Sequence, residues 1–160
     1  MRKIVSGGQT GVDRAALDVA LELGLHCGGW CPKGRLAEDG AIPSRYPLKE
    51  TPTARYEQRT EWNVRDSDGT LILSRGPLGG GSAFTLRVAE AMNRPRMVVD
   101  LAQEPDPEPV RLWIAVHAVR ILNVAGPRES DPPAIHDAAA AFLRRLFSAM
   151  TAAPEAPPSS

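Results

Sequence analysis

The sequence predicts an α/β fold in three layers, α/β/α, around a mainly parallel sheet of about five strands. Three observations carry that prediction. Short apolar runs such as Thr70-Leu71-Ile72-Leu73 alternate with stretches whose apolar residues recur at helical spacing, the pattern of successive βαβ units. Unusual loops follow three of these runs, two of them glycine-rich turns that open a helix. The chain has 160 residues, 42% of them hydrophobic, which is enough to bury a core without disulfides or metal. The arrangement is Rossmann-like. Residues 1–150 read as a single ligand-binding domain and 151–160, rich in Pro, Ala and Ser, as a disordered tail.

The elements follow in order. A first strand covers Lys3–Ser6, and a helix covers about Val12–Leu23, with Val12, Ala15, Ala16, Val19, Ala20 and Leu23 on one face and Gly24 as its stop. A second strand is expected near Leu25–Trp30. Residues 34–68 break the rhythm with thirteen charged residues and three prolines; their first half reads as a long loop and 54–65 as a helix carrying Tyr56 and Trp62. A buried strand at Gly69–Ser74 leads to a helix over about Ser82–Met92, then a strand at Arg96–Leu101. After an acidic, proline-rich connector come a helix at about Val110–Ala118 and a strand at Val119–Val124. A last helix is expected to start at an Asp131 N-cap with Pro132 just inside it, burying Ile135, Ala138, Ala139, Phe142, Leu146 and Phe147.

Bulk properties narrow the function classes. Nineteen basic and nineteen acidic residues cancel, which argues against binding a nucleic acid polymer through a basic surface. The amino terminus runs straight into a strand, and no apolar run is long enough for a bilayer, so no membrane association is expected. Two cysteines, Cys27 and Cys31, suit a reducing, cytoplasmic setting. Their spacing is not that of a zinc site, and His26, His117 and His136 are scattered; no metal site is expected. Cys31 is kept only as a weak candidate contact.

The chemistry is concentrated in three loops. They are Ser6-Gly7-Gly8-Gln9-Thr10-Gly11-Val12-Asp13-Arg14, then Arg75-Gly76-Pro77-Leu78-Gly79-Gly80-Gly81-Ser82, and finally Gly126-Pro127-Arg128-Glu129-Ser130. In an open parallel sheet these turns line one edge, where ligands bind. Glycine lets backbone approach a ligand closely, and the N-terminus of the following helix offers free N–H groups to an anion. The candidate ligand and phosphate contacts are therefore Ser6, Gly7, Gly8, Gln9, Thr10, Gly11, Asp13, Arg14, Lys33, Arg75, Gly79, Gly80, Gly81, Ser82 and Arg128. Each loop has a steric reading as a tight turn, and Asp13 has one as a dipole-stabilising acid; beside a phosphate loop it could instead hold a ribose hydroxyl, a metal or a heterocycle edge. Lys33, Arg35, Glu38, Asp39 and Arg45 read either as a lid over the crevice or as a solvated or subunit-contact surface. Neither a Walker loop nor an in-register dinucleotide fingerprint is present.

The strings Ser6–Asp18, Gly29–Gly40, Tyr46–Thr51 and Arg59–Asp68 together resemble one bacterial family, the putative molybdenum carrier proteins, the circularly permuted YpsA-like branch of the SLOG superfamily. The resemblance covers about Met1–Phe147. It implies a Rossmann-like fold, a homo-oligomer, and kinship with proteins that bind molybdenum cofactor (molybdopterin), a pterin carrying a phosphate and a dithiolene. Trp62 and Trp113 are candidate apolar contacts between subunits. Relatives in the LOG branch hydrolyse nucleoside monophosphates with P-G-G-x-G-T-x-x-E and an upstream arginine; here the loop reads Pro77–Thr85 without the glutamate.

The expected function is thus non-catalytic: a carrier of molybdenum cofactor or a related phosphorylated, nucleotide-like small molecule. The runner-up is an N-glycosidase or phosphoribohydrolase-like enzyme in which Asp13 or Glu38 replaces the missing glutamate. Gly8→Val is expected to abolish ligand binding with the fold intact.

Overall fold

A computed structural model of the chain describes residues 1–152, so residues 153–160 of the expected tail lie outside the described residues. In chain order the elements are β1 (Lys3–Val5), α1 (Val12–Glu22), β2 (Cys27–Gly28), β3 (Trp30–Cys31), β4 (Leu36–Ala37), β5 (Gly40–Ala41), β6 (Lys49–Glu50), α2 (Tyr56–Arg65), β7 (Gly69–Ser74), α3 (Gly80–Ala91), β8 (Arg96–Asp100), a 3-10 turn (Leu101–Gln103), α4 (Glu108–Val116), β9 (Ile121–Ala125) and α5 (His136–Ala152). Helix α5 thereby takes in the first two residues read from sequence as tail.

The central sheet has five strands in the order β2-β1-β9-β7-β8, all parallel. The chain moves outward from β1 to β2 on one side and from β7 to β8 on the other. Right-handed crossovers therefore put α1 and α3 on opposite faces. Helices α4 and α5 join α1, and α2 packs on α3, which completes the three-layer α/β/α, Rossmann-like arrangement. The core sits chiefly between the sheet (Ile4, Leu71, Leu73, Leu122, Val124) and the α1/α5 layer, where the alanines of α1 leave room for Phe142, Leu146 and Phe147 of α5. No helix among the described residues is long and apolar enough to cross a membrane.

Several boundaries differ from expectation, each for a local reason. The strand expected over Leu25–Trp30 breaks at Gly29, whose φ is +124° and whose missing Cβ would lie 2.4 Å from the Ser6 carbonyl oxygen. Beyond it, Trp30–Cys31 leaves the sheet and pairs with Lys49–Glu50. Helix α4 starts at Glu108 because Pro109 fits the first turn, where its lost N–H costs nothing. Helix α5 begins at His136, not behind Asp131: Pro132 precedes Pro133 and is pushed out of helical backbone. Glu129 supplies the cap instead, its Oε1 accepting from the N–H groups of Ile135 (2.7 Å) and His136 (2.8 Å).

Of the five charged residues read as a lid or as a solvated or subunit-contact surface, Lys33, Glu38, Asp39 and Arg45 are exposed and none lines the crevice described below. Arg35 staples the segment after Gly34 from within, donating to the carbonyls of Ile42, Pro43, Tyr46 and Leu48 at 2.7–3.3 Å, while Ile42 and Tyr46 are buried. Its outer hairpin, β4–β5, leans on the loop after β1. Trp62 packs edge-on against Trp30, with ring centroids 4.7 Å apart, and Trp113 packs on the core; both are half-buried within the chain.

Candidate functional site

A crevice of ≈ 760 Å³ opens beyond the carboxyl ends of β1, β9 and β7, where the direction of winding reverses. Gly7, Gln9 and Asp13 line it from the β1–α1 loop, and Tyr56, Arg59, Thr60 and Asn63 from α2. The start of α3 contributes Gly79, Gly80, Gly81, Ser82, Phe84 and Arg87. The end of β9 and its loop add Asn123, Arg128 and Asp131.

The two glycine loops behave differently. At the α3 loop, a Cβ built on Gly79, Gly80 or Gly81 meets nothing within 4 Å. Gly79 is extended (φ −137°), and only Gly80 (φ +49°) has backbone that favours glycine. Packing inside the chain therefore does not explain glycine at 79 and 81, whereas close approach by a ligand would. Of the first N–H groups of α3, Ser82 and Ala83 donate to the Gly79 carbonyl at 3.1 and 3.4 Å, while those of Gly80 and Gly81 have no intrahelical partner. Ser82, only 3% exposed, has an Oγ with no hydrogen-bond partner. Thr85, where LOG relatives carry their glutamate, donates its Oγ1 to the Gly81 carbonyl at 2.9 Å.

The β1–α1 loop is closed by the protein itself. A Cβ on Gly7 would lie 2.4 Å from Cδ of Arg59, and one on Gly11 (φ +81°) would lie 2.3 Å from the Pro127 carbonyl oxygen. Three of its amides are engaged: Gln9 N–H with Asp13 Oδ2 (3.2 Å), Thr10 N–H with Gln9 Oε1 (3.1 Å) and Val12 N–H with the Pro127 carbonyl (3.2 Å). Ser6 donates its hydroxyl to the Val124 carbonyl at 2.7 Å. Thr10 is bonded to Glu38, and Arg14 to Asp39 and to the Gly8 carbonyl. Of the residues expected at the site, the crevice gathers Gly7, Gln9, Asp13, Gly79, Gly80, Gly81, Ser82 and Arg128. Ser6, Gly8, Thr10, Gly11, Arg14, Lys33 and Arg75 stand outside its lining, the last two exposed. Cys31 is buried in the core.

Gly8 faces Ile42 and Leu48 rather than the crevice. Its φ is +82°, and a Cβ there would come within 2.6 Å of Leu48 Cδ1 and 2.8 Å of Ile42 Cδ1. The expectation that Gly8→Val spares the fold is therefore replaced by one of damage to the fold.

Arg59 is the crevice residue that the sequence reading passed over, because it sits inside a run of charges. The available signal was helical spacing: Tyr56, Arg59 and Asn63 share one face of α2. Its Nη1 donates to the Gly7 carbonyl at 3.1 Å and stands 3.8 Å from Asp13 Oδ2, its guanidinium lies over the Tyr56 ring, and its buried Nε has no partner. Burial pushes the Asp13 carboxyl above its ordinary range, and the Arg59 charge opposes that rise. Glu38 is elsewhere, accepting from Ser130 and Thr10. Its partial burial would raise its carboxyl, but those bonds and Arg128 hold it below the usual range. Among the described residues, no three His, Cys, Asp or Glu side chains are grouped as a metal cluster would need.

Residues 4–147 match the model of the circularly permutated YpsA SLOG family. A crystal structure of a "putative molybdenum carrier protein" from Syntrophus aciditrophicus SB is 47% identical over 92% of this chain and 95% of that one, with a TM-score of 0.86. No curated protein matches the chain.

Proposed function

The chain belongs to the circularly permutated YpsA SLOG family, and from that membership and the crevice we propose that it binds and carries molybdenum cofactor or a related phosphate-bearing, nucleotide-like ligand. One observation carries the reading. Among the described residues two buried side-chain polar atoms lack a partner, Arg59 Nε and Ser82 Oγ, and both residues line the crevice. Buried donors left unmade are costly, so the pair is best explained by an acceptor that arrives from outside. A phosphate at the start of α3 would accept from both and from the N–H groups of Gly80 and Gly81, with Gly79 and Gly81 giving it room.

The volume of ≈ 760 Å³ lies within the range of about 300–1,000 Å³ usual for ligand sites. Tyr56 and Phe84 offer flat apolar contacts to a ring. The residues therefore fit a pterin or purine phosphate, and molybdenum would travel as part of the cargo. Native mass spectrometry of gently purified protein, with metal analysis of the same sample, tests this. A bound pterin-phosphate mass with stoichiometric molybdenum supports the carrier. A nucleotide mass without molybdenum moves the ligand to the nucleotide class, and a preparation that binds neither on reconstitution overturns the reading.

A hydrolytic second reading rests on Asp13 alone, a buried carboxyl in the crevice; Glu38, bonded outside the lining, does not share it. Release of free base from a nucleotide panel, lost in Asp13→Asn, would support hydrolysis; no turnover would count against it. We also expect a homo-oligomer in a cytoplasmic setting, and light scattering that gives a monomer would refute the first of these.

A further inference from the structure

Building on the phosphate cradle proposed above, we infer that Asp13 determines which ring the crevice accepts: its carboxylate receives the paired N–H and NH2 donors of the cyclic acylguanidine edge that guanine and pterin share. The carboxylate is buried, with the residue 7% exposed, yet poorly satisfied. It accepts from Gln9 N–H at 3.2 Å and lies against the Ser6 hydroxyl, which also donates to the Val124 carbonyl, whereas an ionised carboxylate has about four acceptor positions. Arg59 lies at 3.8 Å, an ion pair beyond hydrogen-bond reach, and the Arg14 guanidinium is turned to Asp39 and the Gly8 carbonyl. Burial pushes the Asp13 carboxyl up, a cost that two N–H donors from a ligand would offset.

The polarity around it points the same way. Asn123, a buried residue in the lining, donates its Nδ2 to Thr70 Oγ1 at 3.3 Å, and its carbonyl oxygen, not itself fully buried, accepts no hydrogen bond among the described residues. Asp13 and Asn123 thus give the crevice buried acceptors, while Arg59, Arg87 and the start of α3 give it donors; Arg128 is paired with Asp131, and Glu57 also lines the crevice. A ligand that fits carries N–H donors at its buried end and an anion at the other. Adenine would set a ring-nitrogen lone pair against the carboxylate, and a site built for a donor rejects an analogue that lacks it.

Calorimetric titration of the full chain with GMP, a pterin monophosphate, AMP and ribose 5-phosphate, on wild type and Asp13→Asn, tests the inference. Wild type is expected to bind GMP or the pterin at least about tenfold more tightly than AMP, as loss of hydrogen bonds to a charged group implies. The better of those two names the source of the edge. Asp13→Asn should erase the preference, lower GMP or pterin affinity clearly more than ribose 5-phosphate affinity, and melt below wild type, because it leaves the buried Arg59 charge without its partner. Equal wild-type affinity for GMP and AMP, or an equal loss for GMP and ribose 5-phosphate in the variant, overturns the role of Asp13 and leaves the cradle standing. Failure of wild type to bind ribose 5-phosphate overturns the cradle and this inference with it. The wild-type comparison decides even where the variant does not fold.

Discussion

Arg59 and Asp13 form a buried ion pair, 3.8 Å from Nη1 to Oδ2, that ties helix α2 to the first turn of α1 in the lining of the crevice. The same guanidinium holds the Gly7 carbonyl and keeps its Nε free, so one side chain both closes the β1–α1 loop and faces the ligand space. Arg59→Ala should therefore lose on two counts. Ribose 5-phosphate binding should fall by about tenfold or more, as expected for a charge-assisted contact. Stability should drop by about 3 kcal/mol, the lower end for a broken buried pair. In Asp13→Asn the same Arg59→Ala change should cost clearly less, since no buried charge is stranded. Additive losses in that double-mutant cycle, read by chemical denaturation, would show the two residues to be uncoupled.

The glycines separate folding from binding. Gly8→Ala places a Cβ against Leu48 and Ile42 at φ +82° and should cost about 1–3 kcal/mol. Gly81→Ala meets nothing within 4 Å and lies in a helical turn, so its stability should stay within about 1 kcal/mol of wild type. Its phosphate affinity should nevertheless fall severalfold, because the new methyl occupies ligand space. Melting curves and a phosphate titration on the two variants check the split; a Gly81→Ala protein with unchanged affinity would remove that glycine from the cradle.

The sequence was most legible where one residue type meets one local demand. The apolar run Gly69–Ser74 is strand β7 to the residue, and the α1 face read from helical spacing is buried along its length, with Leu23 half-covered beyond the helix end. The site was legible at the level of loops. It was not legible at the level of which loop faces a ligand, because glycine is demanded equally by ligand approach and by close backbone packing. Gly11 answers to the Pro127 carbonyl and Gly81 to open space, and only tertiary structure distinguishes them. Arg59 was hidden for a related reason: a charge in a polar helix reads as solvated until the partner across the sheet is known. Pro132 behind Asp131 reads from sequence as a helix start, whereas Pro133 after it excludes it from the helix.

Glu38 works as a latch between loops. Its carboxylate accepts from Thr10 Oγ1 and from the backbone and hydroxyl of Ser130, joining the β4–β5 hairpin to the loops after β1 and β9. These bonds hold its carboxyl below the ordinary range despite partial burial, so their contribution is present above the unfolded value and is lost as pH falls through the folded one. Glu38→Ala should raise amide exchange in both the hairpin and residues 127–131, while exchange in α3 stays as in wild type. Unchanged exchange at 127–131 would mean that the latch carries no structural weight.

His136, the first residue of α5, links that helix to α1 through Asp18. Its Nε2 lies 2.9 Å from Asp18 Oδ2, the same carboxylate whose Oδ1 accepts the Tyr46 hydroxyl proton at 2.5 Å, and its Nδ1 lies 3.1 Å from Asp137. Burial works against the protonated ring, but the hydrogen bonds and charges of Asp18 and Asp137 outweigh it, and the imidazole holds its proton above its ordinary value. The folded state therefore binds this proton more tightly than the unfolded chain. The resulting stability is complete below about pH 6.5, the unfolded value for histidine, and disappears as pH rises through the folded value. His136→Gln keeps a neutral hydrogen-bonding group but cannot take up the proton. The variant should thus lose the decline in stability that wild type shows above about pH 6.5. Denaturation midpoints across neutral and mildly alkaline pH give the slope, and an NMR titration of the ring gives its direction. A wild-type slope of zero, or a ring that titrates below its ordinary value, would show that Asp18 does not pair with a charged histidine.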